Sequence, residues 1–201
     1  MQQSDVVLHL GRLMLAAGAG SPSAVKGRAG LDDLAEQAAA KARAAGVTNV
    51  ELAVDSTLFQ GPVRQPEVSG ANTGFIMEMR PLAVMQSRNQ AGAYTPNPDL
   101  SAGQAFAAAL SKRGIAVTAV NRASSPAPAS AKEIGKVQSA PVRDLVDFAL
   151  TESDNTTADA LGHLVAAKSG EKPTFDGAGR ATVAELKRMG LDTKGVVVAD
   201  N

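Results

Sequence analysis

Residues 31–54 read LDDLAEQAAAKARAAGVTNVELAV, and two periodicities in this stretch set the fold class. Leu31, Leu34, Ala35, Ala38, Ala42 and Ala45 recur at helical spacing and keep one face. Asp32 and Asp33 stand in the first turn and Lys41 and Arg43 near the end, the polarity that a helix dipole favours. Gly46 supplies a C-terminal stop. Val50, Leu52 and Val54 then alternate, which predicts a strand. Upstream, Val6, Leu8 and Leu10 also alternate, so a strand is expected near 5–10, followed by a loop at Gly18 to Pro22. Strand, helix and strand in this order predict a βαβ unit with parallel pairing.

Working outward, the pattern weakens from Gln60 to Pro98, where glycines and prolines recur. Loops are expected there, with short strands near 75–79 and 82–86. A helix is predicted from Asp99 to Arg113, with Leu100, Gly103, Ala107 and Leu110 on one face, ended by Gly114. Ile115, Val117 and Ala119 predict a short strand. Residues 124–130, SSPAPAS, are a loop or linker. Pro141 suits a first helical turn, and Val142, Leu145, Val146, Ala149 and Leu150 continue that helix. Thr151 to Asn155 interrupts it, and Ala158, Leu161, Leu164 and Val165 mark the next helix. Thr182 to Met189 predicts a third, led in by Gly177-Ala178-Gly179-Arg180 as a loop and closed by Gly190. Val196-Val197-Val198 is expected to be a buried strand, and a chain stopping straight after it suggests missing downstream sequence. There are no internal repeats.

Composition narrows function. The chain has 201 residues, 44% hydrophobic and 20% charged, which argues against global disorder. Twenty basic residues balance twenty acidic ones, so no whole-chain attraction to nucleic acid or an anionic membrane is expected. With no cysteine, disulfides, thiolate catalysis and iron–sulfur clusters are excluded. With two histidines a histidine-rich metal site is nearly excluded too, so no metal or other cofactor is expected. Aromatics at 3% make base or sugar stacking platforms improbable. No apolar run approaches a membrane span, and Met1 to Asp5 lacks the basic start of a signal peptide.

The stretch that carries chemistry is Ser153-Asp154-Asn155, between two amphipathic helices. Its plain structural reading is helix capping, and Thr156 with Asp159 three residues later spells a capping box. Its chemical reading comes from serine acyl-enzymes that act on D-Ala-D-Ala or β-lactams, which combine S-x-x-K, S-D-N and K-T-G. The S-x-x-K serine attacks the carbonyl, activated by its lysine. The S-D-N serine can pass a proton to the leaving amine. The asparagine amide both donates and accepts, so it can hold a substrate amide.

Several spaced blocks resemble the D-alanyl-D-alanine carboxypeptidase/endopeptidases of the low-molecular-mass class C penicillin-binding proteins, peptidase family S13. Asp55-Ser56-Thr57-Leu58-Phe59-Gln60-Gly61-Pro62 is similar to that family's D-x-S-L-F-x-G-P segment. Asn97-Pro98, then Gln104-Ala105-Phe106 and Arg113-Gly114-Ile115, resemble a second block, and Gln138 to Leu145 resembles the helix leading to S-D-N. Ser153 to Leu161 matches S-D-N-x-x-A-[DE]-x-L, and Ala199-Asp200-Asn201 resembles the start of a further turn. The blocks occur in family order. The resemblance implies an α/β (α+β) fold, with a partial penicillin-binding transpeptidase-like domain and part of an inserted accessory α/β domain. Residues 1–97 would be accessory and 98–201 catalytic. It implies that Ser153 relays protons, that Asn155 is catalytic and binds the D-Ala-D-Ala amide, and that Asp154 points inward and braces the loop. It implies peptidoglycan stem peptide as substrate, β-lactams as ligands of the complete enzyme, and a place of action in the periplasm or cell wall, outside the cytoplasmic membrane.

The departures matter as much. The nucleophile motif of the family lies upstream of these blocks and its K-T-G downstream, so the chain reads as truncated at both ends and inactive alone. The alternative is a non-catalytic module that binds cell-wall peptide or a partner chain. A β-lactamase-like hydrolase shares S-D-N, but the surrounding blocks favour the carboxypeptidase. Ser23-Ala24-Val25-Lys26 spells S-x-x-K, yet Pro22 and Gly27 flank it and deny it a helix. The family's Gly-rich turn is replaced by Leu10 to Leu15, and its Pro-containing run by Phe75 to Arg80. His163 is read as a solvated residue pairing with Asp159 at i,i+4. His9 has no ligand-type neighbour, and the six methionines read as core filler.

Overall fold

The structure, a computed structural model, describes residues 7–10, 14–16, 29–68, 70–84 and 94–199. Strand β1 (Val7–Leu10), helix α1 (Leu31–Ala44) and strand β3 (Asn49–Val54) form the expected βαβ unit, with β1 parallel to β3. Strand β5 (Ala116–Arg122) adds to the other edge of β3, also parallel, giving the order β1-β3-β5. It runs three residues past the predicted Ala119. A strand not read from the sequence, β2 (Met14–Ala16), pairs in parallel with β4 (Leu82–Val84) as a separate two-stranded sheet.

Helix α2 (Pro98–Ser111) packs on β3, β4, β5 and α1. Its Gly103 permits the close approach, because a Cβ there would lie 2.7 Å from Val54 Cγ2 and 2.9 Å from Val120 Cγ1. Leu31, Leu52, Leu82, Leu110 and Ile115 are fully buried in the resulting core. Each such side chain contributes roughly 2 kcal/mol of transfer free energy.

That core does not divide at residue 97. Helix α1 and strand β3 share it with α2, Ile115 and the later residues Ile134 and Val137. Side chains from both sides of residue 97 thus meet in one core. Helices α3 (Val142–Thr151), α4 (Asn155–Ser169) and α5 (Phe175–Arg188) form smaller apolar clusters of their own, joined by Phe59 and Met79 from the segment after β3.

Three further expectations change. The stretch near 75–79 is no strand. A 3-10 turn, Gly70–Phe75, is followed by irregular chain with Ile76, Met77 and Met79 buried. Helix α5 begins at Phe175, so Gly177 to Arg180 is its first turns and not a loop. The glycines conceal it, and they are there for space: a Cβ on Gly177 would sit 1.9 Å from the Lys172 carbonyl oxygen, and one on Gly179 2.0 Å from that of Val198. Thr174 caps the helix by accepting from the Gly177 N–H at 3.0 Å. Val196 to Val198 forms no strand, and Val197 is 86% exposed. An apolar triplet needs a strand edge to bond to, and here the chain lies across α5 at Gly179.

Candidate functional site

The S-D-N triplet forms the corner between α3 and α4. Helix α3 closes at Glu152, and the Asp154 N–H donates to the Ala149 carbonyl at 2.9 Å. This reversal needs a residue in the left-handed region, and Ser153 occupies it at φ 50°. Glycine or asparagine more usually takes this position after a helix end, so a serine there is uncommon. Asp154 then caps α4, its carboxylate accepting from the Thr157 N–H at 2.7 Å. The plain capping reading of the triplet therefore holds at Asp154, while Thr156, the start of the spelled capping box, lies inside the helix. Thr156 is buried, and its hydroxyl accepts from the Met77 N–H at 3.0 Å.

The side chains alternate accordingly. Ser153 and Asn155 are exposed, while Asp154 between them is half-buried and engaged with the backbone. A hydroxyl and an amide thus stand free on a corner held by one carboxylate. Free hydroxyl and amide groups can relay a proton and grip an amide. They hold no charge with which to begin an acyl transfer.

Support comes from beneath. His163 lies two turns along α4 and is 1% exposed, which corrects the solvated reading. Its ring sits 4.8 Å from those of Phe59 and Phe175. Its Nδ1 lies 2.8 Å from the Asp159 carbonyl oxygen, so Nδ1 carries the hydrogen. Burial depresses its pKa, only partly offset by that hydrogen bond, and keeps the imidazole neutral. Asp159 is fully buried as well. The segment after β3 straps this unit: the Gln60 N–H donates to the Pro173 carbonyl at 2.9 Å, and Gln65 Nε2 to that of Ala199 at 2.9 Å. The sequence showed the residues 55–62 but not that Phe59 would reach under α4, since that contact spans about a hundred positions.

A second polar cluster lies where β3 and β5 end and α2 begins. The fully buried Asp99 receives Arg122 in two bonds, 2.7 and 2.9 Å, and also the Ser56 hydroxyl. Asn97, left-handed at φ 54°, accepts from Arg122 at 2.6 Å. Burial alone would raise the Asp99 carboxyl, but the bonds from Arg122, Ser56 and the Leu100 N–H hold it below the ordinary value. Every charge here is matched, which marks a structural joint.

Two further strings spell pieces of the missing motifs. Ser169-Gly170-Glu171-Lys172 reads S-x-x-K, and Lys168-Ser169-Gly170 is a variant of K-T-G. Both straddle the end of α4, where Gly170 turns left-handed at φ 85° and the Ser169 hydroxyl donates to Ala166. No helix follows to align Ser169 with Lys172, and at 1.5 Å per residue this end lies about 20 Å from Asn155. Ser23 to Lys26, and Asp200 with Asn201, fall outside the described residues. Among the described residues no group of three or more histidine, aspartate or glutamate side chains is placed to hold a metal ion.

Residues 81–201, more than half of the chain, match the model of the D-Ala-D-Ala carboxypeptidase 3 (S13) family. The carboxypeptidase DacB of Mycolicibacterium smegmatis is 30% identical over 195 residues, spanning 92% of this chain and 40% of that one. Carboxypeptidase Rv3627c of Mycobacterium tuberculosis is 31% identical over 192 residues, with the same coverage of 92% and 40%. The crystal structure of penicillin binding protein 4 (dacB) from Haemophilus influenzae superposes with a TM-score of 0.63 at 14% identity, covering 92% of this chain and 58% of that one. At that identity the likeness speaks for the fold. The chain spans about two-fifths of the length of the curated relatives it matches.

Proposed function

The chain belongs to the D-Ala-D-Ala carboxypeptidase 3 (S13) family, and on that premise we propose that its α3–α4 corner is the assisting half of a serine-type D-Ala-D-Ala carboxypeptidase/endopeptidase site acting on peptidoglycan. The observation that carries this reading is the alternation at the corner: Ser153 and Asn155 exposed, Asp154 turned to the backbone between them.

In the reaction a serine hydroxyl attacks the carbonyl of the penultimate D-alanine. The bond to the terminal D-alanine breaks, and water then releases the acyl-enzyme. Ser153 hands the proton to the departing amine, and Asn155 holds the peptide amide through its own donor and acceptor. Asp154 keeps the corner rigid, which matters because a displacement of about 1 Å at such a site can cost about 100-fold in rate. The nucleophile comes from a segment other than those described. Acting on a cell-wall peptide places the protein outside the cytoplasmic membrane, and among the described residues no helix is long and apolar enough to cross a membrane.

A second reading, a non-catalytic module that binds stem peptide or a partner chain, draws on the same exposed corner with no helical S-x-x-K among the described residues. One experiment separates the two. The 201-residue chain is incubated with a fluorescent penicillin and, separately, titrated with a peptide ending in D-Ala-D-Ala. The expected result is no covalent adduct, with weak peptide binding lost in Asn155→Ala. An adduct on this chain alone overturns the need for an outside nucleophile. Binding indifferent to both Asn155→Ala and Ser153→Ala removes the corner from the function.

A further inference from the structure

Between β5 and α3 the chain makes an excursion that packing does not explain. Residues 124–133 are exposed at every position and form neither helix nor strand. Both ends return to the same core. At one end the Ala123 N–H donates to the Val54 carbonyl at 2.8 Å. At the other, the Gln37 side chain clamps the backbone of Lys136, accepting from its N–H at 3.0 Å and donating to its carbonyl at 3.1 Å. Ile134 and Val137 pack on the core that α1, β3 and α2 share. The excursion therefore joins no parts that move against each other. Nor is it a flexible spacer, because no glycine occurs between Gly114 and Gly135, and Pro126 and Pro128 stiffen the chain.

What the excursion presents is serine. Ser124, Ser125 and Ser130 flank Pro126, Ala127, Pro128 and Ala129, and none of the three hydroxyls has a hydrogen-bond partner among the described residues. Serines in the packed part differ: Ser56 donates to Asp99, Ser111 to the Ala107 carbonyl and Ser169 to that of Ala166. Exposed serine among proline and alanine is the composition of O-glycosylated segments. Small neighbours leave room for a sugar, and proline keeps the hydroxyls out of helices and ladders. We propose that Ser124, Ser125 and Ser130 are sites of O-linked glycosylation. In the transfer the serine Oγ bonds to the anomeric carbon of a polyprenyl-phosphate sugar. The bond from that carbon to the phosphate oxygen breaks, its electron pair leaves on the phosphate, and the hydroxyl proton passes to a base of the transferase. A lipid-linked donor is the class required because the inference rests on the proposed function for the place of action, outside the cytoplasmic membrane. The sugars would displace no buried contact, since every side chain from 124 to 133 faces solvent.

Arg122 and Lys132 bracket the segment, so trypsin releases a peptide from Ala123 to Lys132 that holds these serines and no threonine or asparagine. The 201-residue chain is produced in Mycolicibacterium smegmatis, the source of one relative, with and without an added secretion signal, and that peptide is weighed from each form. The expected result is a peptide heavier by whole sugar residues from the greater part of the secreted chain, and an unmodified one from the chain kept in the cytoplasm. Replacing the three serines together by alanine returns the secreted peptide to the mass of its sequence and leaves the melting temperature of the chain within about 2 °C. An unmodified peptide from the secreted chain overturns the proposal. So does sugar on the cytoplasmic chain, which would make the donor soluble, and so does phosphate in place of sugar. Titration of both forms with a peptide ending in D-Ala-D-Ala keeps the two readings apart. No binding by either form rejects the assignment of the α3–α4 corner, while the mass of the released peptide alone decides the glycosylation.

Discussion

Ser153 offers the sharpest test, because its backbone and its side chain should respond in opposite ways. At φ 50° its Cβ crowds the following carbonyl, a conformation that costs a non-glycine residue about 1–2 kcal/mol. Ser153→Gly removes that cost. It also adds freedom to the unfolded chain, worth about 0.4–1 kcal/mol against folding. The net expectation is a gain of about 0.5–1 kcal/mol. For a chain of this length that raises the melting temperature by about 2 °C. Ser153→Ala keeps the strained backbone and deletes only an exposed hydroxyl, so its melt should lie within about 0.5 kcal/mol of the parent. Both variants lack the proton relay. Thermal unfolding of the three proteins, followed by circular dichroism, decides the matter. A melting temperature lower for Ser153→Gly than for Ser153→Ala refutes the reasoning, because it would mean that the corner is not strained and that the side chain stabilises it.

The remaining predictions concern the supports of that corner and the joint at α2. Asp154→Ala, which exposes the Thr157 N–H, should cost about 1 kcal/mol in urea unfolding, while Asp154→Asn, still able to accept that bond, should cost about half as much or less. Arg122→Met leaves the Asp99 carboxylate buried without its cation and should cost about 3 kcal/mol, whereas Arg122→Lys recovers part of it. Stability against pH should show two separate limbs. The folded pKa of Asp99 is depressed, so its contribution is intact above the unfolded value of about 3.9 and is lost as pH falls through the folded value; Asp99→Asn flattens this limb. His163 is also depressed, so the unfolded chain takes its proton first, and stability falls as pH drops below about 6.5; His163→Phe removes that slope, and a slope that persists shows that another group is responsible.

Much of this molecule follows from local pattern. The alternation of Val50, Leu52 and Val54, the face from Leu31 to Ala42, and the break between Leu150 and Asn155 are short-range signals, and the elements formed where those signals pointed. The residue types at 153–155 likewise suggest a proton relay and an amide clamp without any geometry. What local pattern could not carry was partnership at a distance. The glycines at 177 and 179 read as loop because the carbonyls that require them belong to Lys172 and Val198. Val196 to Val198 read as strand because apolar composition does not reveal whether an edge is there to pair with. His163 read as solvated because Phe59, a hundred residues earlier, is what buries it. The core shared by side chains on both sides of residue 97 is hidden from local pattern for the same reason. That Asp154 turns inward was an expectation of the resemblance, whereas tertiary structure alone supplied the bonds at Ala149 and Thr157 that orient it and leave Ser153 and Asn155 to the solvent.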